Sequence, residues 1–367
     1  MRTALKTTLV NLLVLIGLLL AIELGYRIVK FSASCMSDEC DRSYWQVGTK
    51  FRIPHPMGIR RQDPVIGSVP NDGHYSVPWP DGLPTPVTIR NSVRLNGPQH
   101  PSLEGDKTLA VGDSFTFGDE VADSDTWPAC LEREWNSPVI NAGMFGYGAA
   151  QAVLRAQQLE LHGKYDRVIW SILVGNDFER DTLVARSSDV RPAVITTPQG
   201  PRYTSVEESQ RVLDAATHRG IAKYAGLFGY LYITKLAWEH LSRSVLPEGM
   251  RFDGLWTVPH PQAAPRPELM AFAFDQFAAL SAAEKYVLLQ YPKKSLVHIA
   301  PADAAELRAI RKLAAKRNIA IIDTLPVLRS APDRTALYRT HHTPAGNRTV
   351  CRSIVTAVGM SRRQSGQ

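Results

Sequence analysis

Several signatures are scarce or missing in this 367-residue chain, and each absence removes a class of function. There is no long basic tract: Lys and Arg outnumber Asp and Glu, 42 to 35, but the net charge of +7 is dispersed over short runs such as YPKKS and RAIRKLAAKR, which solvated helix faces and turns account for. With no zinc-finger or RNP-type pattern beside them, nucleic acid is not an expected partner. A Walker A loop is lacking, as is a Gly-x-Gly-x-x-Gly after a strand, and the histidines and cysteines lack ligand spacing. No cofactor and no metal is therefore expected. No repeat period emerges, and no segment is biased enough to read as disordered. What remains is an ordinary globular composition, 44% hydrophobic and 21% charged, large enough for one domain with insertions or for two.

Charge is also missing from one stretch near the start. After Arg2 and Lys6, residues Thr7 to Ile22 carry none, and reading on to Tyr26 gives about 20 residues, or ~30 Å of helix, roughly one hydrocarbon thickness. Residues 7–26 are thus expected to form an N-terminal transmembrane helix, with the short basic terminus inside and the remainder exported. This makes the chain a single-pass inner-membrane protein with its main domain in the periplasm or outside the cell. A cleaved signal peptide shares the basic start and apolar middle, but the run leads into bulky, charged ELGYRIVKF rather than a small-residue cleavage site. FSASC before Cys35 only loosely matches a lipoprotein box.

Cysteine is sparse, at four residues, a number that fits an exported domain. Cys35 and Cys40 enclose a short loop in which a local disulfide is plausible. Cys130 shares a helical face with Trp127 and Leu131, and Cys351 lines up with Ile354, Val355 and Val358; both should point inward, as a bridge or as two buried thiols.

Residues 1–30 form the anchor or signal, and residues 31–105, rich in Pro, Gly and Asn, a loop-rich region with short strands. From 106 to 367 the texture is alternating, with an insertion at about 178–291. TLAVG, PVIN and DRVIWSILVG read as strands, SDTWPACLEREW and GAAQAVLRAQQLELHG as helices, and SLVHIA and NIAIID as strands flanking the helical PADAAELRAIRKLAAKR. PAGNRTVCRSIVTAV closes the chain as a helix. Strands alternating with helices predict an α/β fold with a parallel sheet covered on both faces. In the insertion, YAGLFGYLYITKLAW is apolar and aromatic, but Lys223 and Lys235 bracket too short a run to span a membrane; it reads as a buried helix or as a lid over the site.

In a doubly wound sheet the loops after the strands converge on one crevice. The first strand ends in Gly112-Asp113-Ser114, where Gly112 removes a side-chain obstruction and Asp113 can bind neighbouring amides. The second ends in NAGMFGYG, which frees the Gly146 N–H, and the third in VGNDF, where Asn176 offers an amide. THHTPAGN places His341 and His342 before the last helix. A nucleophile, a base and three donors on separate loops form the constellation that acyl transfer needs.

These blocks, in this order and strand context, resemble the four blocks of the SGNH (GDSL-type) hydrolases. DPVIGSVPNDG, NSVRLNG and GDSFTFGDEV are similar to a bacterial membrane-anchored envelope branch with GDSFTFG in place of GDSL. The resemblance covers about Asp63 to Val358, interrupted by the middle segment. It implies a three-layer α/β/α sandwich with a flavodoxin-like sheet, Ser114 as nucleophile, and an oxyanion hole from the Ser114 and Gly146 N–H groups and the Asn176 amide. His341, five residues before Gly346, would be the general base, with His342 as the alternative. The family's usual aspartate two or three residues before the histidine is replaced here by Arg339 and Tyr338. Either Asp333, upstream in the same loop, serves as acid partner, or a backbone carbonyl holds the imidazole and leaves a Ser–His dyad.

The expected activity is ester hydrolysis through an acyl-enzyme, on acyl or acetyl esters of envelope glycans or lipids, in company with envelope polysaccharide machinery. An O-acyltransferase using the same site, or a non-catalytic carbohydrate-binding scaffold, is the alternative.

Overall fold

Along the third predicted strand every residue from Arg167 to Leu173 is buried, and the same holds from Thr108 to Val111; strands hidden on both faces are the mark of a sheet sandwiched between helices. A computed structural model of the chain describes residues 2–35, 58–78, 84–97, 106–186, 189–218 and 257–365. Two compact units divide it: Met1–Pro54 with Val212–Val258, and His55–Arg211 with Pro259–Gln367.

In the first unit, α1 (Arg2–Cys35) is a 34-residue helix with Val10, Val14, Leu15, Leu18 and Ile22 exposed. Among the described residues no helix registers as long and apolar enough to cross a membrane, so the span expected at residues 7–26 rests on the sequence. The possible Cys35–Cys40 bridge and the apolar YAGLFGYLYITKLAW lie outside the described residues.

The second unit holds an eight-stranded sheet and several short hairpins. A hairpin of β1 (Arg60–Asp63) and β2 (Gly67–Pro70) comes first, followed by β3 (Gly73–Pro78), β4 (Pro84–Arg90) and β5 (Val93–Arg94). The alternating core follows as β6 (Thr108–Val111), α2 (Ser114–Phe117), α3 (Trp127–Trp135), β7 (Val139–Asn141), α4 (Ala149–Glu160), β8 (Arg167–Leu173) and α5 (Asp177–Arg180). Two short hairpins follow, β9 (Leu183–Arg186) with β10 (Asp189–Val190) and β11 (Val194–Thr197) with β12 (Gly200–Tyr203); α6 (Val206–His218) and β13 (Thr257–Pro259) fall at the two boundaries with the first unit, Val212 and Val258. The chain closes with α7 (Arg266–Ala278), β14 (Glu284–Gln290), α8 (Pro301–Lys316), β15 (Ala320–Asp323), α9 (Leu325–Ser330) and α10 (Pro344–Ser365).

The main sheet runs β15-β14-β8-β6-β7-β5-β4-β3. The first five in that list are mutually parallel, and numbered among themselves in chain order they read 2-1-3-4-5 from β7 to β15, the flavodoxin-type order. Side chains alternate across the sheet. Leu109, Val111, Val168, Trp170, Ile172, Val287 and Leu289 pack with α4, α7 and α8 on one face, while Ala110, Ile169 and Leu288 pack with α3 and α10 on the other. The expected three-layer α/β/α arrangement is thus present, but the sheet is mixed: β5, β4 and β3 extend it in antiparallel fashion. The Pro- and Gly-rich stretch before residue 106 supplies those strands because PTPVTIR and GHYSVP pair residue for residue, with Val77, Val87 and Ile89 buried.

Two sequence expectations are corrected. SLVHIA is not a strand; Lys293–Leu296 forms a 3-10 turn after Pro292, and Val297 is 87% exposed. The fourth parallel strand is EKYVLLQ at Glu284–Gln290, whose last five residues are buried. Consequently α7 and β14, both placed by the sequence in a 178–291 insertion, belong to the core, and the stretch outside the second unit is Val212–Val258.

Of the two readings for the inward cysteines, the bridge is realised. Cys130 on α3 and Cys351 on α10 form a disulfide across 221 residues of sequence, and both are buried. Restricting so long a loop in the unfolded chain stabilises the fold by roughly 2–5 kcal/mol. The paired substitution Cys130→Ala/Cys351→Ala should lower the unfolding free energy by about that amount in urea titration, and added reductant should lower that of the wild type alone.

Candidate active site

The site is assembled at the ends of β6, β7 and β8, beside the point where strand order reverses, which in this topology is where ligands bind. At the end of β6 the chain must turn against β8 with no room to spare: a Cβ on Gly112 would collide with Thr116 Oγ1 and lie 2.8 Å from Ser171 Cβ. Asp113 then caps α2, its Oδ1 accepting the Phe115 N–H at 2.9 Å. Ser114 begins that helical turn, 6% exposed.

His341 comes to it from the far end of the sequence. Its Nε2 lies 2.9 Å from Ser114 Oγ, as the sequence predicts for a nucleophile and base. The other ring nitrogen overturns an expectation. Nδ1 meets Glu120 Oε1 at 3.2 Å, and Glu120 Oε2 accepts the N–H groups of Thr340 and His341, each at 3.1 Å. Asp333, offered by the sequence as acid partner, is instead a turn residue: its Oδ1 accepts Thr335 N–H, Thr335 Oγ1–H and Ala336 N–H. The alternative of a backbone carbonyl behind the imidazole is likewise replaced by a carboxylate. Glu120 is not among the residues the sequence offers; it lies inside GDSFTFGDEV, six positions after Ser114, with nothing in the sequence to set it apart from a surface acid.

The two adjacent histidines differ in environment. Burial pulls His341 down, but the Glu120 hydrogen bond and the nearby Asp119, Glu120 and Asp113 carboxylates outweigh it and leave the imidazole above its ordinary value. His342 is directed elsewhere, to Gln290 Oε1 at 2.9 Å. Burial, with His341 adding to it, depresses His342 to about 3, so it is neutral and not placed to serve Ser114. The Phe115 ring packs on both imidazoles, 5.0 Å from each.

Gly146 and Asn176 sit on neighbouring loops that one guanidinium ties to the serine loop. Arg180 Nη1 donates to Asp113 Oδ2 (3.2 Å), to the carbonyl of Tyr147 (2.9 Å) and to Asp177 Oδ1 (3.2 Å). Burial, and then the Asp113 charge, push Asp177 well above the usual carboxylate range. Gly146 has φ +85, a left-handed conformation that favours glycine, and its carbonyl is held by Arg191 Nη1 at 2.5 Å. Among the described residues no group of three His, Cys, Asp or Glu side chains is arranged to hold a metal ion.

The arrangement can deprotonate a hydroxyl: a buried carboxylate fixes the Nδ1–H tautomer, so Nε2 is the acceptor facing Ser114 Oγ–H.

No protein-family model matches the chain, and no curated protein matches it in sequence. Solved structures similar to it include LAE5, an α/β hydrolase enzyme from the metagenome of Lake Arreo, Spain (13% identity, TM-score 0.40, covering 70% of this chain and 95% of that one). Others are a lipase/acylhydrolase from Enterococcus faecalis (13%, TM-score 0.39, 69% and 94%) and a variant of Axe2, an acetyl xylan esterase from Geobacillus stearothermophilus (14%, TM-score 0.39, 70% and 95%). Likeness at this level decides neither fold nor chemistry, which rest on the topology and geometry above.

The raised His341 pKa has a definite sign. The stability it contributes is complete below the unfolded value of about 6.5 and is lost as pH rises through the higher folded value. In histidine NMR titrations, Glu120→Gln should move the His341 midpoint down, while Asp333→Asn should leave it in place.

Proposed function

We propose that this chain is a serine ester hydrolase that works through an acyl-enzyme. The observation that carries the reading is the continuous Ser114–His341–Glu120 relay, with hydrogen bonds of 2.9 and 3.2 Å, at the crevice end of a flavodoxin-type sheet. As the Ser114 oxygen attacks an ester carbonyl, His341 Nε2 takes its proton and Glu120 stabilises the imidazolium. The carbonyl oxygen becomes an oxyanion facing the Ser114 and Gly146 N–H groups and the Asn176 amide, and collapse expels the alcohol with the proton from His341. Water, deprotonated by the same nitrogen, then releases the acid and restores Ser114.

Location and substrate extend the proposal. The uncharged run from Thr7 to Ile22 supports a single inner-membrane span, and the buried Cys130–Cys351 disulfide supports an oxidising compartment such as the periplasm. In that setting acyl or acetyl esters of envelope glycans or lipids are the fitting substrates. The sequence blocks resembling SGNH hydrolases agree with this chemistry.

Full-length protein in detergent should hydrolyse 4-nitrophenyl acetate and react covalently with a fluorophosphonate. Ser114→Ala or His341→Ala should remove at least about 10³-fold of the turnover, and Ser114→Ala should abolish labelling. Turnover that survives both substitutions would discredit the assignment.

A further inference from the structure

NSVRLNG, the stretch that carries β5, contains a side chain with four hydrogen bonds beside the site. Arg94 on β5 is 1% exposed, and its guanidinium is directed at a single loop. Nη1 donates to the carbonyls of Phe117 (2.8 Å) and Gly118 (2.6 Å), Nη2 to that of Val121 (2.7 Å), and Nε to Asp123 Oδ1 (2.9 Å). Asp123 is pinned in turn, accepting the Thr88 N–H from β4. The three carbonyls flank Glu120 on both sides.

Glu120 requires such a grip. Its φ is +71, a left-handed conformation unfavourable for a residue bearing a Cβ, and such conformations persist only where the surroundings over-determine them. Glu120 is 4% exposed, so its carboxylate cannot relax toward water. Only a planar fork with several donors serves carbonyls on both sides of a turn at once; a lysine ammonium in the same place is a point charge.

We propose that Arg94 is a positioning residue for the site: by clamping the Phe117–Asp123 loop around Glu120, it keeps that carboxylate on His341 Nδ1 and thereby fixes the tautomer and orientation of the imidazole that faces Ser114. The consequence for rate rests on the esterase reading, whereas the positioning itself is measurable without turnover. The charged and titratable groups facing His341 are Glu120, Asp119 (Oδ2 3.9 Å from Nε2), Asp113 beneath Ser114, and His342 next in sequence. Arg339 adds a guanidinium on the Glu120 carbonyl at 3.4 Å. Asp119 and Glu120 both lie between the carbonyls that Arg94 grips, and of the two it is Glu120 that bonds His341 Nδ1.

The test is a double-mutant cycle on the full chain in detergent micelles, with R94K, R94M, E120Q and R94K/E120Q. It is read by histidine-selective ¹⁵N NMR titration, by kcat and KM on 4-nitrophenyl acetate against pH, and by Tm. R94K should lower the His341 midpoint in the same direction as E120Q and cut kcat by about 10²-fold, with KM nearly unchanged. The acid limb of kcat/KM should move to lower pH with the midpoint. On the E120Q background R94K should add little to either effect. R94M need not fold, because it leaves three buried carbonyls without their donor; R94K keeps a buried cation and carries the test. A folded R94K whose His341 titrates as in wild type would overturn the proposal, as would an R94K effect that adds in full on E120Q. Wild-type chain without Ser114-dependent turnover would instead remove the esterase reading and leave the NMR test of Arg94 standing.

Discussion

The geometry of the candidate site depends on one carboxylate. Glu120 divides its two oxygens among donors from a segment 221 residues away, one for the His341 ring and one for two backbone N–H groups. Because both oxygens are occupied, the side chain cannot rotate off the imidazole without abandoning the Thr340 N–H and the buried His341 N–H, a loss of about 1–3 kcal/mol for the buried one. The same residue therefore orients the His341 ring, holds the loop that bears it and, in the proposed reaction, offsets the positive charge that proton transfer creates. A second long-range link, the Cys130–Cys351 disulfide, joins α3, which follows the Glu120 loop, to α10, which follows the histidines. The two loops that must meet are thus each succeeded by a helix covalently tied to the other.

Loops beyond the ends of strands have no ladder to satisfy their carbonyls, and buried carbonyls need donors. Arginine, with five N–H groups in one plane, meets that need economically. Arg94 gathers the Phe117–Asp123 loop, Arg180 joins the serine loop to those of Tyr147 and Asp177, and Arg191 takes the Gly146 carbonyl. Arg155 does the same for the carbonyl of Ser92, at 2.8 Å. The loop ends of this sheet are stapled by guanidiniums, which accounts for several buried arginines around a site that itself needs none for proton transfer.

The legible and illegible parts of the sequence divide along physical lines. Runs such as TLAVG and DRVIWSILVG read correctly because burial on both faces leaves an unbroken apolar signal. EKYVLLQ carries the same signal, but SLVHIA just after it is equally strand-like in composition, and only Pro292 and the lysines behind it mark the break. The antiparallel extension is hidden because proline and glycine interrupt β3 and β4, and pairing there depends on register across a turn, which no single strand reveals. Ser114 and His341, which the structure brings together, could be read because each sits at the end of an element and has a distinctive neighbour. Glu120 could not, since a carboxylate after a short helical turn looks like any surface acid, and its left-handed backbone leaves no mark on composition.

The adjacent histidines show why partner, rather than position, decides role. Each is buried, and burial alone makes any imidazole a poor proton acceptor. His341 escapes because a carboxylate bonds its far nitrogen and further acidic groups surround it, so the protonated form is tolerated where a proton must arrive. His342 has an amide oxygen from Gln290 at the end of β14 and no carboxylate contact, and a charge on His341 would penalise a second charge beside it. Protonating His341 during a reaction therefore pushes His342 further toward neutrality, and the pair cannot share or exchange the proton. The neutral ring bonds the last residue of β14 and stacks near Tyr338, 4.5 Å between centroids, which makes it part of the wall against which its neighbour is aimed.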